Sequence, residues 1–193
     1  AEKRRVHFKT RAPIRFDIAS IGIGSVPSGY SKWTDEPGFL PIKPMATFRQ
    51  RLETQLAAFA EAHPLENSPI RAVVVGGGAA GTEIAFCLDA FLIARNMPGQ
   101  ITLVDGSANI LRGYEEKTRR NIRTRLEQRG IAVRLESRVK SVRGQAVELE
   151  DGKTVPADIV LWATAAAPPP FLANVNLSKA DDGFLAVRST LQT

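Results

Sequence analysis

The chain has 193 residues, of which 44% are hydrophobic and 24% charged, so it can bury a core of one or two domains. Its formal net charge of +6 invites a nucleic-acid or anionic-membrane partner, but most of the basic residues are spread along the chain. The apolar runs are too short for a membrane helix, and the basic N-terminus lacks the apolar stretch of a secretory signal.

The predicted elements alternate between helix and strand. The first is an amphipathic helix from Ala46 to about Ala62, which ends before His63-Pro64. Strands and helices then follow one another at 70–75 (strand), 79 to about 94 (helix), 101–104 (strand), 114–128 (helix) and 131–135 (strand). This order predicts an α/β fold built on one mononucleotide-binding half of a doubly wound sheet.

Positive charge is concentrated only in the stretch EEKTRRNIRTRLEQR, which covers nearly all of the predicted helix at 114–128. Leu111, Ile122 and Leu126 fall on one face at helical spacing, and the arginines mostly face elsewhere. The pattern predicts an amphipathic helix with a solvated arginine face, and the alternative is a patch for an acidic partner or a membrane surface. Aromatic residues are not interleaved with the basic ones, so we expect no nucleic-acid partner.

The segment SRVKSVRGQAVELEDGKTVPA has a different character. Short alternating apolar runs flank Gly144 and the pair Asp151-Gly152, and the second of these is a hairpin signal. We expect an antiparallel three-stranded meander in place of a helical crossover. The chain would then return through 158–162 as a fourth parallel strand.

A glycine motif lies between the first strand and its helix. Gly76, Gly78 and Gly81 have the spacing GxGxxG, which is far more specific in this context than alone. Gly76 permits the tight turn, Gly78 leaves space for a pyrophosphate, and Gly81 lets helix and strand pack closely. Backbone N–H groups at the helix start, those of Ala79 and Ala80, would face the phosphates.

A carboxylate, Asp105, ends the second strand, where it can accept hydrogen bonds from an adenosine ribose. It would also repel a 2′-phosphate, so the sequence favours NADH over NADPH. Gly106 and Ser107 supply no arginine to reverse this preference, and we set Arg112 aside because it lies further along the chain. Glu83 has two interpretations: a carboxylate in the first helical turn, or a hydrogen-bond acceptor near a bound nicotinamide.

The remaining reactive residue types form no recognisable site. His7 and His63 have no serine, cysteine or metal-ligand partner at diagnostic spacing, so we predict neither catalytic residues nor a metal site. The single cysteine, Cys87, excludes an internal disulfide and fits a reducing compartment. We expect it to be a core residue.

The phrases VVVGGGAAGTEIAF and ITLVDGSANIL, with the linkers FDIASIGIGSVP and ADIVLWATAAAPP, resemble the pyridine nucleotide-disulfide oxidoreductase family. LPIKPMATF and DDGFLAVRSTLQT are similar to its type II NADH dehydrogenase-like branch, particularly the reductase module fused to selenide, water dikinase. The resemblance implies a Rossmann-like NAD-binding domain with a parallel sheet and the meander, flanked by remnants of a split FAD domain. The implied segments are 1–30 (tail of the first FAD segment), 31–68 (connector), 69–163 (NAD(P)-binding domain) and 164–193 (start of the second FAD segment).

The same resemblance implies a flavoprotein that passes hydride from NADH to FAD, and on to a quinone, disulfide or selenium acceptor. Glu83, Ala163 and Thr164 would lie near the nicotinamide. The family's second GxGxxG and its later Gly-Asp motif are not in this sequence, so FAD would belong to the full-length parent and the fragment alone would be inactive. Ala165 also stands where the family pattern has glycine. A cytoplasmic location is implied, with peripheral membrane association of the parent as an alternative.

Two other classes of protein stay open. The chain could be a stand-alone NAD-sensing module without turnover, or an α/β interaction domain whose glycine turn binds no nucleotide. The linker phrases at both ends favour neither, because a self-contained domain has no use for two orphan FAD-domain strands. Those strands could pair with each other, stay loose, or pair between molecules and form a dimer. In the parent, the rest of the FAD domain would be their partner.

Overall fold

The computed structural model describes residues 4–63 and 68–193. Within them the helices are α1 (Met45–Ala62), α2 (Ala79–Ile93) and α3 (Glu116–Gln128). The strands, in chain order, are β1 (Arg5–Val6), β2 (Ile14–Arg15), β3 (Val26–Pro27), β4 (Phe39–Pro41), β5 (Ile70–Val75), β6 (Gly99–Val104), β7 (Ala132–Arg134), β8 (Val139–Arg143), β9 (Ala146–Leu149), β10 (Thr154–Pro156), β11 (Ile159–Trp162) and β12 (Ala166–Ala167). Short 3-10 helices occupy Tyr30–Lys32 and Pro170–Asn174.

A five-stranded parallel sheet forms the centre of the molecule, with the strand order β4, β11, β5, β6, β7. Val74 lies between Leu161 of β11 and Leu103 of β6, which fixes the register of the three central strands. These strands are apolar and rich in β-branched residues, as expected for a sheet that is covered on both faces. The α/β class, the three successive strands and the returning fourth strand are therefore confirmed.

The fifth strand, β4, was not predicted, because it comes from the segment expected to be only a connector with a helix. Leu40 pairs in parallel with Leu161 at the edge of the sheet. Gly38 makes this approach feasible: its φ is +75°, and a Cβ there would lie 2.3 Å from the carbonyl oxygen of Asp158. The sheet thus includes residues far upstream of the predicted boundary at 69.

Side chains alternate between the two faces of the sheet, and each face has its own cover. One face packs against all three helices, through Leu52 of α1, Leu88 of α2 and Leu126 of α3 among others. The opposite face, which includes Val73 and Val160, packs against the meander. The layers are therefore helices, parallel sheet and antiparallel sheet.

The predicted meander is confirmed as an antiparallel sheet in the order β10, β9, β8. Gly144 and Gly152, with φ values of +56° and +81°, make the two turns that the sequence indicated. Val142, Val147 and Val155 are buried against the parallel sheet. This small sheet stands over the end of the strands where the glycine motif lies.

The helix boundaries agree with the sequence except near α3. Helix α1 begins one residue before the prediction and ends at Ala62; Pro64, which we expected to follow its end, lies outside the described residues. The placement of Leu111 on the face of α3 was wrong. Leu111 precedes that helix, has a φ of +51°, and donates its N–H to the carbonyl of Gly77 at 2.7 Å. No helix in the described ranges is long and apolar enough to cross a membrane.

Of the three alternatives for the orphan strands, the structure has the first, because they pair with each other. Pro27 of β3 lies opposite Ala166 of β12, and Val26 lies opposite Ala167. Near the N-terminus, β1 and β2 form a separate antiparallel pair. The segments on either side of the sheet domain therefore meet at one point, beside β11, which is the last strand of the parallel sheet in chain order.

Candidate functional site

The glycine turn connects β5 to α2, and two of its glycines are required by packing alone. Gly76 has a φ of +116°, and a Cβ there would lie 2.4 Å from the carbonyl oxygen of Ala163. A Cβ at Gly81 would lie 1.8 Å from the carbonyl oxygen of Gly76. Since real atoms cannot approach so closely, both positions need glycine whether or not a ligand binds.

Gly78 is different, because the protein's own packing does not require a glycine there. Its backbone is extended, with a φ of −73°, and a Cβ would meet no atom of the described residues within 4 Å. The described residues also provide no side-chain cap for the start of α2. Ala79 and Ala80 are exposed and line the same space, so the first N–H groups of the helix face an open cleft.

Asp105 follows β6 and holds the turn in shape. One carboxylate oxygen, Oδ2, accepts the N–H of Gly77 at 2.6 Å, and Oδ1 accepts the N–H of Ser107 at 2.7 Å. Each oxygen keeps a further lone pair, so the carboxylate can also accept hydrogen bonds from ribose hydroxyls. The residue predicted from the sequence is thus beside the glycine turn, with a second role that the sequence did not reveal.

These groups line a single open cleft of about 860 Å³, a volume suited to a cofactor. The Asp105 side chain lies beside Gly77 and the carbonyl of Ala163 lies beside Gly76, so the glycine turn separates Asp105 from Ala163 along the cleft. The lining residues are Ser28, Lys32, 75–80, 104–107, Asn109, Arg112, Ser137, Arg138, Val139, Glu150 and 162–166.

At the end of the cleft away from Asp105, the structure brings together Ala163 and Thr164, as predicted, and adds Ser28 and Trp162, which sequence reasoning missed. Ala165, at the family's glycine position, also lines the cleft and is exposed. Glu83 is not part of this lining in the described chain, and its assignment to the first helical turn was wrong, because α2 begins at Ala79.

Three arginines surround a neighbouring pocket of about 330 Å³, next to Gly106 and Ser107. They are Arg112, Arg119 and Arg138, which come from three different segments. The Nε of Arg119 is buried, and the described residues offer it no acceptor. We set Arg112 aside because it lies further along the chain, but in the structure it lines this pocket. That exclusion was wrong. Arg138 could not be located from the sequence, because it is brought near by the pairing of β6 with β7 and by backbone hydrogen bonds from residues 136–137 to Ser107 and Asp105.

The remaining candidates contribute no site. Cys87 is exposed, so its assignment to the core was wrong. This error arose because α2 has apolar residues on most of its surface, so the sequence does not indicate which side of the helix is exposed. His63 stacks on Phe59, with ring centroids 4.3 Å apart, and the Nδ1 atom of His63 forms a hydrogen bond with the carbonyl oxygen of Phe59. Among residues 4–63 and 68–193, no group of three or more His, Cys, Asp or Glu side chains could hold a metal ion.

A glycine turn between a parallel strand and an uncapped helix, with a carboxylate at the end of the next strand, is the arrangement typical of dinucleotide-binding α/β domains. Sequence comparison agrees, since the family described as Pyridine nucleotide-disulphide oxidoreductase matches residues 36–193. The chain belongs to this family.

The relatives in sequence are oxidoreductases. Demethylphylloquinone reductase NdbB of Synechocystis is 30% identical over 80% of this chain and 37% of its own length. A probable NADH dehydrogenase of Dictyostelium discoideum is 30% identical over 55% of this chain and 26% of its own. Dihydrolipoyl dehydrogenase of Staphylococcus aureus is 29% identical over 67% of this chain and 28% of its own. The chain therefore spans well under half the length of these relatives.

Solved structures support the same fold. The reduced CoADR-RHD of Bacillus anthracis superposes with a TM-score of 0.54 at 20% identity, covering 70% of this chain and 24% of that one. The flavoprotein disulfide reductase RclA of Escherichia coli, solved as a variant with Cu(II), gives 0.53 at 21% identity, covering 65% and 28%. At these identities the similarity concerns the fold alone.

Proposed function

We propose that this chain is the NADH-binding portion of an FAD-dependent NADH oxidoreductase. The observation that carries the proposal is the open space at Gly78, where glycine is unnecessary for packing but leaves room for a ligand. That space adjoins an uncapped helix start, which favours an anion, and the Asp105 carboxylate, which suits ribose hydroxyls.

The order of these groups along the cleft supports one orientation for the dinucleotide. The pyrophosphate would lie against the N–H groups at 78–80, and the adenosine ribose would lie at Asp105. The nicotinamide would extend toward Ala163 and Thr164 at the other end, with Glu83 more distant than the sequence suggested. When bound, NADH supplies a hydride that a flavin can accept. This chain's own residues would bind and orient the donor.

FAD and the final acceptor would belong to the parent protein beyond the cleft. The name of the Synechocystis relative supports a quinone acceptor, and the description of the family supports a disulfide. A selenium acceptor follows only from the resemblance of the linker phrases. A stand-alone NAD-binding module without turnover is the second candidate, and it predicts much tighter binding by this chain alone.

The direct test is a calorimetric titration of the folded chain with NADH. We expect millimolar or tighter binding, and we expect Gly78→Val to weaken it at least tenfold, which is about 1.4 kcal/mol, because the new side chain occupies the phosphate space. Asp105→Ala is a less specific variant, since it also frees two backbone N–H groups. Ala90→Val, on the exposed side of the same helix, is the matched control and should bind normally.

Two results would contradict the proposal. NADH could fail to bind the folded wild-type chain, or Gly78→Val could bind as well as Ala90→Val. Submicromolar binding without flavin would favour the sensing module instead.

For the choice of nucleotide, we propose that NADH is preferred over NADPH, because Asp105 repels a 2′-phosphate. The three pocket arginines oppose this repulsion, so we expect a modest preference. Arg119→Gln should raise the ratio of NADH affinity to NADPH affinity about fivefold, since it removes one charged donor worth about 1 kcal/mol at a partly exposed site.

The control for that variant is Arg120→Gln on the same helix. Arg120 is outside the pocket lining in the described chain, and its exposed side chain pairs with Glu116. Titrations of both variants with both nucleotides provide the comparison. An equal change in the two variants would show that overall charge, rather than the pocket, determines the ratio.

A further inference from the structure

The two linkers of the chain are connected through hydrogen bonds at one residue, Ser28, which follows β3. Its carbonyl oxygen accepts two side-chain hydrogen bonds, from Trp162 Nε1 at 2.8 Å and from Thr164 Oγ1 at 2.7 Å. Its own N–H donates to the carbonyl of Ala165 at 2.7 Å. We call Ser28, Trp162, Thr164 and Ala165 the linker junction.

One donor of the linker junction, Trp162, is held in place by packing. Trp162 is only 6% exposed, and its ring packs on Phe39 with centroids 5.6 Å apart. Both lone pairs of the Ser28 carbonyl are used, so the carbonyl has a fixed orientation. A backbone pairing of two residues between β3 and β12 would be weak alone, and these side-chain bonds reinforce it.

The linker junction is also tied to the glycine turn. Ala163 lies between the two donors in sequence, and its N–H donates a hydrogen bond to the carbonyl of Val75 at 2.8 Å. The carbonyl of Ala163 is the group that a Cβ at Gly76 would collide with. Every residue of the junction lines the cleft. Three of them flank Ala163, whose carbonyl lies beside Gly76, whereas the Asp105 side chain lies beside Gly77. A ligand that fills the whole cleft would therefore contact the junction, whereas one that fills the adenosine end and the turn would not.

We propose that Trp162 and Thr164 are positioning residues that hold Ser28, and with it the first linker, as one wall of the nicotinamide end of the dinucleotide site. This inference rests on the proposed function. It has two consequences: binding of the whole dinucleotide stabilises the linker junction, and loss of either donor weakens recognition of the nicotinamide half only.

The test compares NADH with ADP, which carries the adenosine and the diphosphate but lacks the nicotinamide riboside. Trp162→Phe keeps an aromatic ring of smaller size and removes the indole N–H, and Thr164→Val keeps the shape and removes the hydroxyl. In calorimetric titrations each should weaken NADH binding about threefold to tenfold, and ADP binding less than twofold. Thr164→Ser, which keeps the hydroxyl, should restore NADH binding. Trp33→Phe, at a partly buried position packed against the same hydrophobic cluster, should leave both affinities unchanged.

A second measurement follows the linker junction itself in the wild-type chain. The sequence has two tryptophans, so a ¹⁵N spectrum contains two indole N–H signals, and Trp162→Phe identifies one of them. We expect NADH to shift that signal and to slow hydrogen exchange at the Ser28 amide about tenfold, and ADP to do neither.

The outcomes separate the two proposals. If ADP and NADH bind but the donor variants weaken both equally, or if both ligands protect Ser28 alike, the junction has only a structural role and the inference is overturned. If neither ligand binds the folded wild-type chain, the proposed function fails and the inference fails with it.

Discussion

Gly81→Ala is expected to lower the free energy of unfolding by about 3 kcal/mol or more, enough to unfold a marginally stable chain. The added Cβ would lie 1.8 Å from the carbonyl oxygen of Gly76 and 3.5 Å from the Cβ of Ala163. The first contact is with backbone, which cannot rotate away as a flexible side chain would. Helix α2 would have to move off β5, and that movement would open the core beneath Ala85 and Leu88.

Gly78→Ala is the matched control, three residues earlier in the same motif. Its Cβ would meet no atom of the described residues within 4 Å, and the backbone there is already extended. Urea denaturation followed by circular dichroism should give a change below about 1 kcal/mol for Gly78→Ala, against the large loss for Gly81→Ala. Equal stability of the two variants would mean that helix and strand are not packed as closely as described.

Asp158→Asn is expected to cost about 2 kcal/mol of stability, because Asp158 is the acceptor for three donors of Arg71. Its Oδ2 accepts the Arg71 backbone N–H at 2.8 Å and Nε at 3.0 Å, and Oδ1 accepts Nη2 at 2.5 Å. The carboxylate side chain is 6% exposed and the arginine side chain 38%. Breaking a fully buried pair costs about 3–5 kcal/mol, and water at the exposed arginine reduces that figure.

The effect of Asp158→Asn should depend on pH. Burial alone would raise the pKa of Asp158, but the hydrogen bonds from Arg71 outweigh it and hold the pKa below its ordinary value. A lowered folded-state pKa contributes stability above the unfolded value of about 3.9, and this contribution is lost as the pH falls through the folded value. The difference between wild type and Asp158→Asn should therefore be full at pH 7 and shrink below about pH 4.

Urea denaturation of both proteins from pH 7 to pH 3 is the measurement. The exposed Asp35→Asn serves as the control and should change stability by less than about 0.5 kcal/mol at pH 7. A difference for Asp158→Asn that stays constant across this range would contradict the ion-pair interpretation.

The features that the sequence predicted correctly are those that local rules determine. The run 70–75 is too apolar for an exposed segment, and the glycine spacing directly after it permits few other structures. The hairpin at Asp151-Gly152 is similarly local, because its tight turn needs a residue with positive φ, and Gly152 provides one. The position of Asp105 follows from parallel strands ending at the same edge of the sheet.

The features that were missed depend on distant partners. Leu40 looks like part of a connector until Leu161 lies beside it, and nothing near Leu40 in the sequence indicates that pairing. Leu111 fits the helical period of α3, yet it turns to bond the carbonyl of Gly77 instead. Arg138 lies at the site because β7 pairs with β6 and because residues 136–137 bond the backbone of Asp105 and Ser107. In each case a tertiary contact, which the neighbouring residues in the sequence do not indicate, determines the position of the residue.

Strand β4 has a consequence for how this fold can be divided or transplanted. The sheet domain begins well before residue 69, because its edge strand β4 and the whole of α1, which covers one face of the sheet, both precede β5. A polypeptide trimmed to begin at residue 69 would leave the backbone of β11 without a neighbour on one side, and would uncover the helix-facing side chains that Leu52 and Leu56 protect. Such an open, apolar edge promotes self-association. The smallest portable module therefore begins before Gly38.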